Sequence, residues 1–255
     1  MSAYISKKIL IILLMIPLKF FMQEDHLYTN LLKKYITDGL VNYENLKDDI
    51  RLNKYLDQLS STNPDELSPK KKLAFWINVY NAFTLQIVCE NYPIESITDL
   101  NTGGKIISYV FSKTVWDKEY VNINNKKYSL NDIEHNILRK MNEPRIHFAV
   151  VCASISCPKL RNEAYESEKI ESQLNDQADL FINDTTKNSF DLNSQKAELS
   201  KIFDWFEEDF GNTDESVLKF LADYLPESLQ NDINENAGKW EIDYKDYNWK
   251  LNKQY

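Results

Sequence analysis

Apolar residues recur at helical spacing through much of the chain. Leu27, Leu31, Leu32 and Tyr35, and then Leu46, Ile50, Tyr55 and Leu59, predict helices over 27–36 and 43–59. The Asn63-Pro64 pair breaks the pattern. Ser68-Pro69 then reads as an N-cap followed by proline in the first turn. From there to Glu90, Leu73, Trp76, Ile77, Tyr80, Thr84, Ile87 and Val88 make a stripe wide enough for a central core helix, which Asn91-Tyr92-Pro93 stops. Residues 93–110 are loop-like, with Gly103-Gly104 as the most pliable point. Strands over 116–123 and 127–130 would form a hairpin around Asn124-Asn125.

Ser129 with Asp132 resembles a capping box, starting a helix to about Lys140. The run from Ile146 to Cys152 is almost wholly apolar, as in a central strand covered on both faces, and a polar turn follows at Ser154–Pro158. A helix over 167–182, a hairpin over 189–199, a helix capped by Ser200 and ended by Gly211, and a helix over 213–224 complete the regular pattern. Residues 227–238 look polar and loose, and the aromatic tail 240–251 is expected to pack on the body as a strand or clasp. These elements predict a single α+β domain, a long central helix packed on a small mixed or antiparallel sheet.

Composition narrows the class. The 255 residues are 43% hydrophobic, enough for a substantial core, and 5 Gly with 7 Pro argue against a linker-rich chain. A net charge of −9 disfavours nucleic acid and anionic membrane as partners. At the start, two lysines precede an apolar run from Ile9 to Pro17, the shape of a secretory signal and too short for a comfortable span. The expected organisation is a signal peptide over 1–23, a helical segment over 24–65 and the α+β domain over 66–255, in a periplasmic or secreted protein with no membrane span once processed. The oligomeric state is left open.

Scarce reactive side chains concentrate between Ser129 and Leu160, where His135, His147, Cys152 and Cys157 all fall. Three chemistries compete for them. Cys157, in the turn after the apolar run, suits a nucleophile, because a thiolate needs a nearby imidazole or a helix N-terminus. His135 would be its base. Glu134 is adjacent in sequence and off the face of His135, so Asn78 or Asn81, three apart on one flank of the long helix, are the better orienting groups. The plainer expectation for both asparagines is hydrogen bonding to a neighbouring loop. Alternatively Cys152 and Cys157 form a structural disulfide in an oxidising compartment, in an envelope binding module for a peptide or glycan-like ligand. Glu134, His135 and Arg139 would then be contact or framework residues, whereas in the thiol reading Glu134, Arg139, His147 and Cys152 would be substrate-binding. His147 reads first as a hydrogen-bonded core histidine, and Cys89 as a buried free thiol. A Cys₂His₂ metal set is the third option, although the spacing fits no finger or ribbon and HExxH is absent. No cofactor is expected, because phosphate loops, GxSxG and the dinucleotide fingerprint are missing.

The stretches AFWINVYNAFTL (74–85), SLNDIEHNILR (129–139), RIHFAVVCASISCPKL (145–160), QLNDQADLFIND (173–184), LSKIFDWFEEDF (199–210) and DYNWKLN (246–252) resemble the bacterial family known as domain of unknown function 547. The resemblance implies a mixed α+β domain and brings in a suspected kinship with papain- and transglutaminase-like thiol folds. It assigns no activity. The function expected is a thiol-dependent hydrolase or acyl transferase for peptide or amide bonds, with Cys157 as nucleophile, His135 as base, and Asn78 or Asn81 orienting.

Overall fold

In the computed structural model described here, residues 26–101 and 114–254 are placed. The expected signal segment 1–23 and the Gly103-Gly104 loop lie outside them. Helix α1 (26–35) buries Tyr28, Leu31, Leu32 and Tyr35, as the spacing requires. A two-residue hairpin, β1 (Ile36–Thr37) and β2 (Leu40–Val41), follows it. The helix predicted over 43–59 is two, α2 (Tyr43–Leu46) and α3 (Ile50–Ser61). The Asp49 carboxylate explains the interruption, because it accepts the Arg51 N–H and caps a new helix start.

Helix α4 (Pro69–Asn91) is the central element, as the stripe predicts. From Ala74 to Leu85 every residue is buried, so this helix is wrapped by neighbours on all sides. Its main neighbours are α3 and the turn of Asp132–Leu138. The small sheets are hairpin β3 (Val121–Ile123) with β4 (Lys126–Tyr128), whose Val121 and Ile123 join the core around α4, and a mixed sheet of β5 (Ser189–Asp191), β6 (Lys196–Leu199) and β7 (Glu241–Tyr244), which packs on a second core. β5 and β6 pair antiparallel, and β7 adds parallel to β6. Helices α5 (Ile170–Ile182), α6 (Lys201–Trp205), α7 (Asp214–Ala222) and α8 (Glu227–Asn236) complete an α+β fold. α8 corrects the expectation that 227–238 is loose. Its one fully buried anchor, Ile233, sits against α7 among otherwise polar residues, too sparse a pattern to announce a helix.

The apolar run at 146–152 is also corrected. It forms a 3₁₀ turn, Pro144–Phe148, and then irregular backbone through Cys152 that pairs with no strand among the described residues. Its hydrophobicity has another cause: the segment runs between two cores. Ile146, Ala149, Val150 and Val151 pack in the core around α4, while Phe148 packs with Phe181, Phe203 and Phe210 in a second core. Both faces are covered, as predicted, by side chains rather than by a sheet.

The missing strand partners are supplied by amides of α4. Asn81 Nδ2 donates to the Ala149 carbonyl at 2.9 Å and its Oδ1 accepts the Val151 N–H at 2.9 Å. Asn78 does the same for the carbonyl and N–H of Tyr165, both at 2.9 Å. Each side chain therefore satisfies two buried backbone groups. Asn81→Ala would orphan both groups, so a loss of about 2–4 kcal/mol is expected in urea unfolding, with Asn78→Ala similar. Loss of less than about 1 kcal/mol would contradict this role.

Candidate functional site

The predicted helix at 129–140 starts as expected. Ser129 Oγ donates to Asp132 Oδ2 at 2.7 Å and the Asp132 N–H returns a bond to Ser129 Oγ. It then widens into a π-helical turn, Asp132–Leu138, in which the Arg139 N–H reaches the Glu134 carbonyl five residues back. Arg139–Met141 close it as a 3₁₀ turn. Successive side chains diverge less in such a wide turn than in an α-helix. Glu134 and His135 accordingly line one cavity together, contrary to the expectation that adjacent helical positions part.

That cavity, about 170 Å³, also meets His147, Cys152 and Cys157. Its walls are aromatic: Tyr80 from α4, Trp116, Trp205 and Phe206 from the end of α6, and Tyr247 and Trp249 from the tail. Four of the residues singled out in the sequence chemistry, both histidines and both cysteines, thus converge, with Glu134 beside them. Asn78 and Asn81 do not join them. Their amides are spent on backbone, so the orienting role assigned to them is corrected.

The two sulfurs are bonded to each other as a disulfide, the alternative reading of the pair. Cys157 as a resting free thiol is corrected accordingly. The Cys152 N–H and the Tyr247 hydroxyl both donate to Cys157 Sγ, at 3.0 and 3.3 Å. Ser154 Oγ donates to the same Tyr247 hydroxyl at 3.2 Å. Between the cysteines, Ala153 adopts φ 60°, a conformation costly for a residue with a Cβ. The tail holds this turn in place, through Asn252 N–H to the Ala153 carbonyl and Ile155 N–H to the Lys250 carbonyl. The tail is therefore a clasp, as expected. Cys89 is a free, half-buried thiol that burial pushes up to about 12.

The histidines differ in kind. His147 is 2% exposed, stacks on Phe206 at 4.1 Å, and places Nε2 2.7 Å from Asp209 Oδ2. A carboxylate only accepts, so Nε2 carries the proton and Nδ1 bears the lone pair. That Nδ1 is buried and has no partner. Burial lowers the pKa of His147 despite the opposing pull of Asp209, so the ring is neutral. Burial alone would raise Asp209. Bonds from His147 and Arg139 outweigh it and bring the carboxyl down to about 2. Arg139 grips Asp209 through Nε at 2.6 Å and Nη2 at 3.1 Å, and its Nη1 meets His135 Nδ1 at 3.1 Å. A guanidinium only donates, so the lone pair of His135 is occupied and its free nitrogen is an N–H. His135, expected to be the base, is built as a donor.

Glu134 is buried, with Oε2 accepting the Tyr80 hydroxyl at 3.1 Å. Burial raises its carboxyl to about 7, against the lowering pull of Tyr80 and Arg139. With both sulfurs joined, the Cys₂His₂ option has lost its thiolates. No group of three or more His, Cys, Asp or Glu among the described residues is arranged to hold a metal ion. Among the described residues, no helix is long and apolar enough to cross a membrane.

Asp209, Tyr247 and the tryptophans escaped the sequence reading. Asp209 and Tyr247 lie in stretches quoted for the family resemblance, yet nothing in the spacing separates Asp209 from its acidic neighbours Glu207 and Glu208.

Fold and site define an α+β domain whose aromatic-walled cavity carries a disulfide, a His–Asp pair and a buried carboxyl. The model of the family described as "Protein of unknown function, DUF547" matches residues 64–182, the part of the chain that holds the stretches 74–85, 129–139 and 145–160. No curated protein and no solved structure matches the chain.

Glu134 sets a pH dependence. The folded state holds its proton up to about 7, whereas the unfolded chain releases it near 4.5, so stability falls as pH rises between those values. The fall is at most about 3 kcal/mol. Urea unfolding of Glu134→Gln at pH 5 and pH 8 should lack this component. An identical pH slope in variant and wild type would contradict it.

Proposed function

We propose that the protein is a thiol-dependent hydrolase or acyl transferase for peptide or amide bonds, dormant while Cys152 and Cys157 are joined and active once a thiol reductant splits them. One observation carries the reading: both sulfurs share a cavity with a neutral imidazole whose lone pair is unclaimed and whose other nitrogen is held by a carboxylate. Cys157 remains the nucleophile. Its sulfur already receives the Cys152 N–H and the Tyr247 hydroxyl, and donors of that kind favour thiolate over thiol. His147 replaces His135 as the base, and Asp209 replaces the asparagines as the orienting group.

The thiolate would add to the carbonyl carbon, and the bond to nitrogen would break as the amine takes the proton from His147. Water or an acceptor amine would then release the acyl group from sulfur. His135, through its N–H, suits the developing oxyanion. The lysine-then-apolar start supports export to the periplasm or beyond, where a peptide or a glycan-linked peptide is the fitting partner. A second reading, a binding module with a purely structural disulfide, is favoured by the disulfide itself.

Mild reduction followed by iodoacetamide at pH 6 separates the two. A catalytic Cys157 should alkylate at least about tenfold faster than a cysteine in a model peptide, and His147→Gln or Tyr247→Phe should slow it. Reactivity no greater than the peptide's, with ligand binding unchanged in Cys157→Ser, would leave the binding module.

A further inference from the structure

We propose that the cavity recognises a primary ammonium group, so that the acyl substrate is an amine-bearing segment such as a lysine-like side chain or a free α-amine. The proposal deepens the thiol reading by naming what its substrate carries, and it rests on that reading only for the reaction, not for recognition.

The aromatic wall and a buried carboxyl argue together. Six aromatic residues (Tyr80, Trp116, Trp205, Phe206, Tyr247 and Trp249) line the cavity, and aromatic enclosures attract organic cations through the negative faces of their rings. Trp205, Tyr247 and Trp249 pack on one another with ring centroids 4.5–5.8 Å apart, and Trp116 joins Trp249 at 5.7 Å, so the wall is continuous on that side. Lining the same cavity is a buried carboxyl, Glu134, which among the described residues takes a side-chain hydrogen bond from one neutral donor, the Tyr80 hydroxyl. Among the described residues no lysine or arginine nitrogen forms an ion pair with it. Arg139, the nearest guanidinium in sequence, is committed to Asp209 and His135. A buried carboxylate without a cation is costly, and an incoming ammonium removes that cost while its N–H groups donate to the oxygens. A neutral sugar would use the aromatic wall and leave the carboxylate unmatched.

The proton on Glu134 competes with the ligand. Glu134 itself, Tyr80 on α4, His135 and Arg139 from the same turn, His147, Asp117, Asp209 and Tyr247 are the titratable or charged groups around the cavity among the described residues. Of these, Glu134 is the carboxyl that changes charge near neutrality, with a pKa raised to about 7. Affinity for the ammonium should therefore rise as pH passes from 6 to 8.

The test titrates the oxidised, full-chain protein, in which no thiol chemistry runs, with n-butylammonium and with its neutral analogue 1-pentanol. Quenching of tryptophan fluorescence reports binding, because three of the five tryptophans line the cavity. Saturable binding of the ammonium at least about tenfold tighter than the alcohol is expected at pH 8. Glu134→Gln should remove most of that preference. Trp205→Ala, at a position 46% exposed and thus gentle on folding, should weaken ammonium binding several-fold. Equal affinity for ammonium and alcohol, or preference for a neutral monosaccharide, would overturn the proposal. So would an ammonium preference untouched by both substitutions. Ammonium binding without thiolate reactivity after reduction removes only the catalytic reading. Turnover of amides lacking an amine as fast as amine-bearing ones removes only this inference.

Discussion

The amides of Asn78 and Asn81 hold the molecule's functional segment to its central helix. Residues 149–151 and 165 have backbone groups that a sheet would normally satisfy, and among the described residues no strand pairs with them. Two side chains on one flank of α4 stand in for that strand, at 2.9 Å for each of four bonds. The segment 146–152 is thereby fixed between two hydrophobic cores, with Phe148 turned into one and Val150 and Val151 into the other. His147 and Cys152 sit at the boundary because the backbone between them is pinned.

On that scaffold the charged groups form one chain. Arg139 bridges His135 and Asp209, and Asp209 in turn holds His147. Each histidine therefore has its tautomer imposed by a neighbour of fixed protonation, one by a donor and the other by an acceptor. Two imidazoles that look interchangeable in sequence acquire opposite roles. Burial outweighs the pull of Tyr80 and of the same Arg139 on Glu134, which accounts for a carboxyl that holds its proton to near neutrality.

Much of the architecture was legible. The long helix, its proline start, the Ser129 cap, the 189–199 hairpin and the aromatic clasp all follow from spacing and capping chemistry, because those signals are local. The run at 146–152 was misread because coverage on both faces looks the same whether strands or separate cores supply it. For the site, clustering of scarce residue types located the cavity, since His135, His147, Cys152 and Cys157 lie within one compact stretch. The roles were not legible. They depend on Asp209, 62 residues after His147, and on Tyr247, 90 residues after Cys157. Pairings over such distances are made by tertiary packing and leave no periodic trace. The π-helical turn that brings Glu134 and His135 to one cavity is likewise invisible to a reading that assumes 3.6 residues per turn.

The clasp has a consequence for biosynthesis. Ribosomes deliver the two sulfurs long before the phenol that caps them, so in the growing chain Cys152 and Cys157 meet their surroundings uncovered. Whichever oxidant or reductant waits there acts on an open pair, and arrival of the tail and its aromatic rings then covers the sulfurs in part, leaving Cys152 half-buried. The pair is thus at its most accessible before the clasp closes, and a reductant that arrives later meets it partly covered.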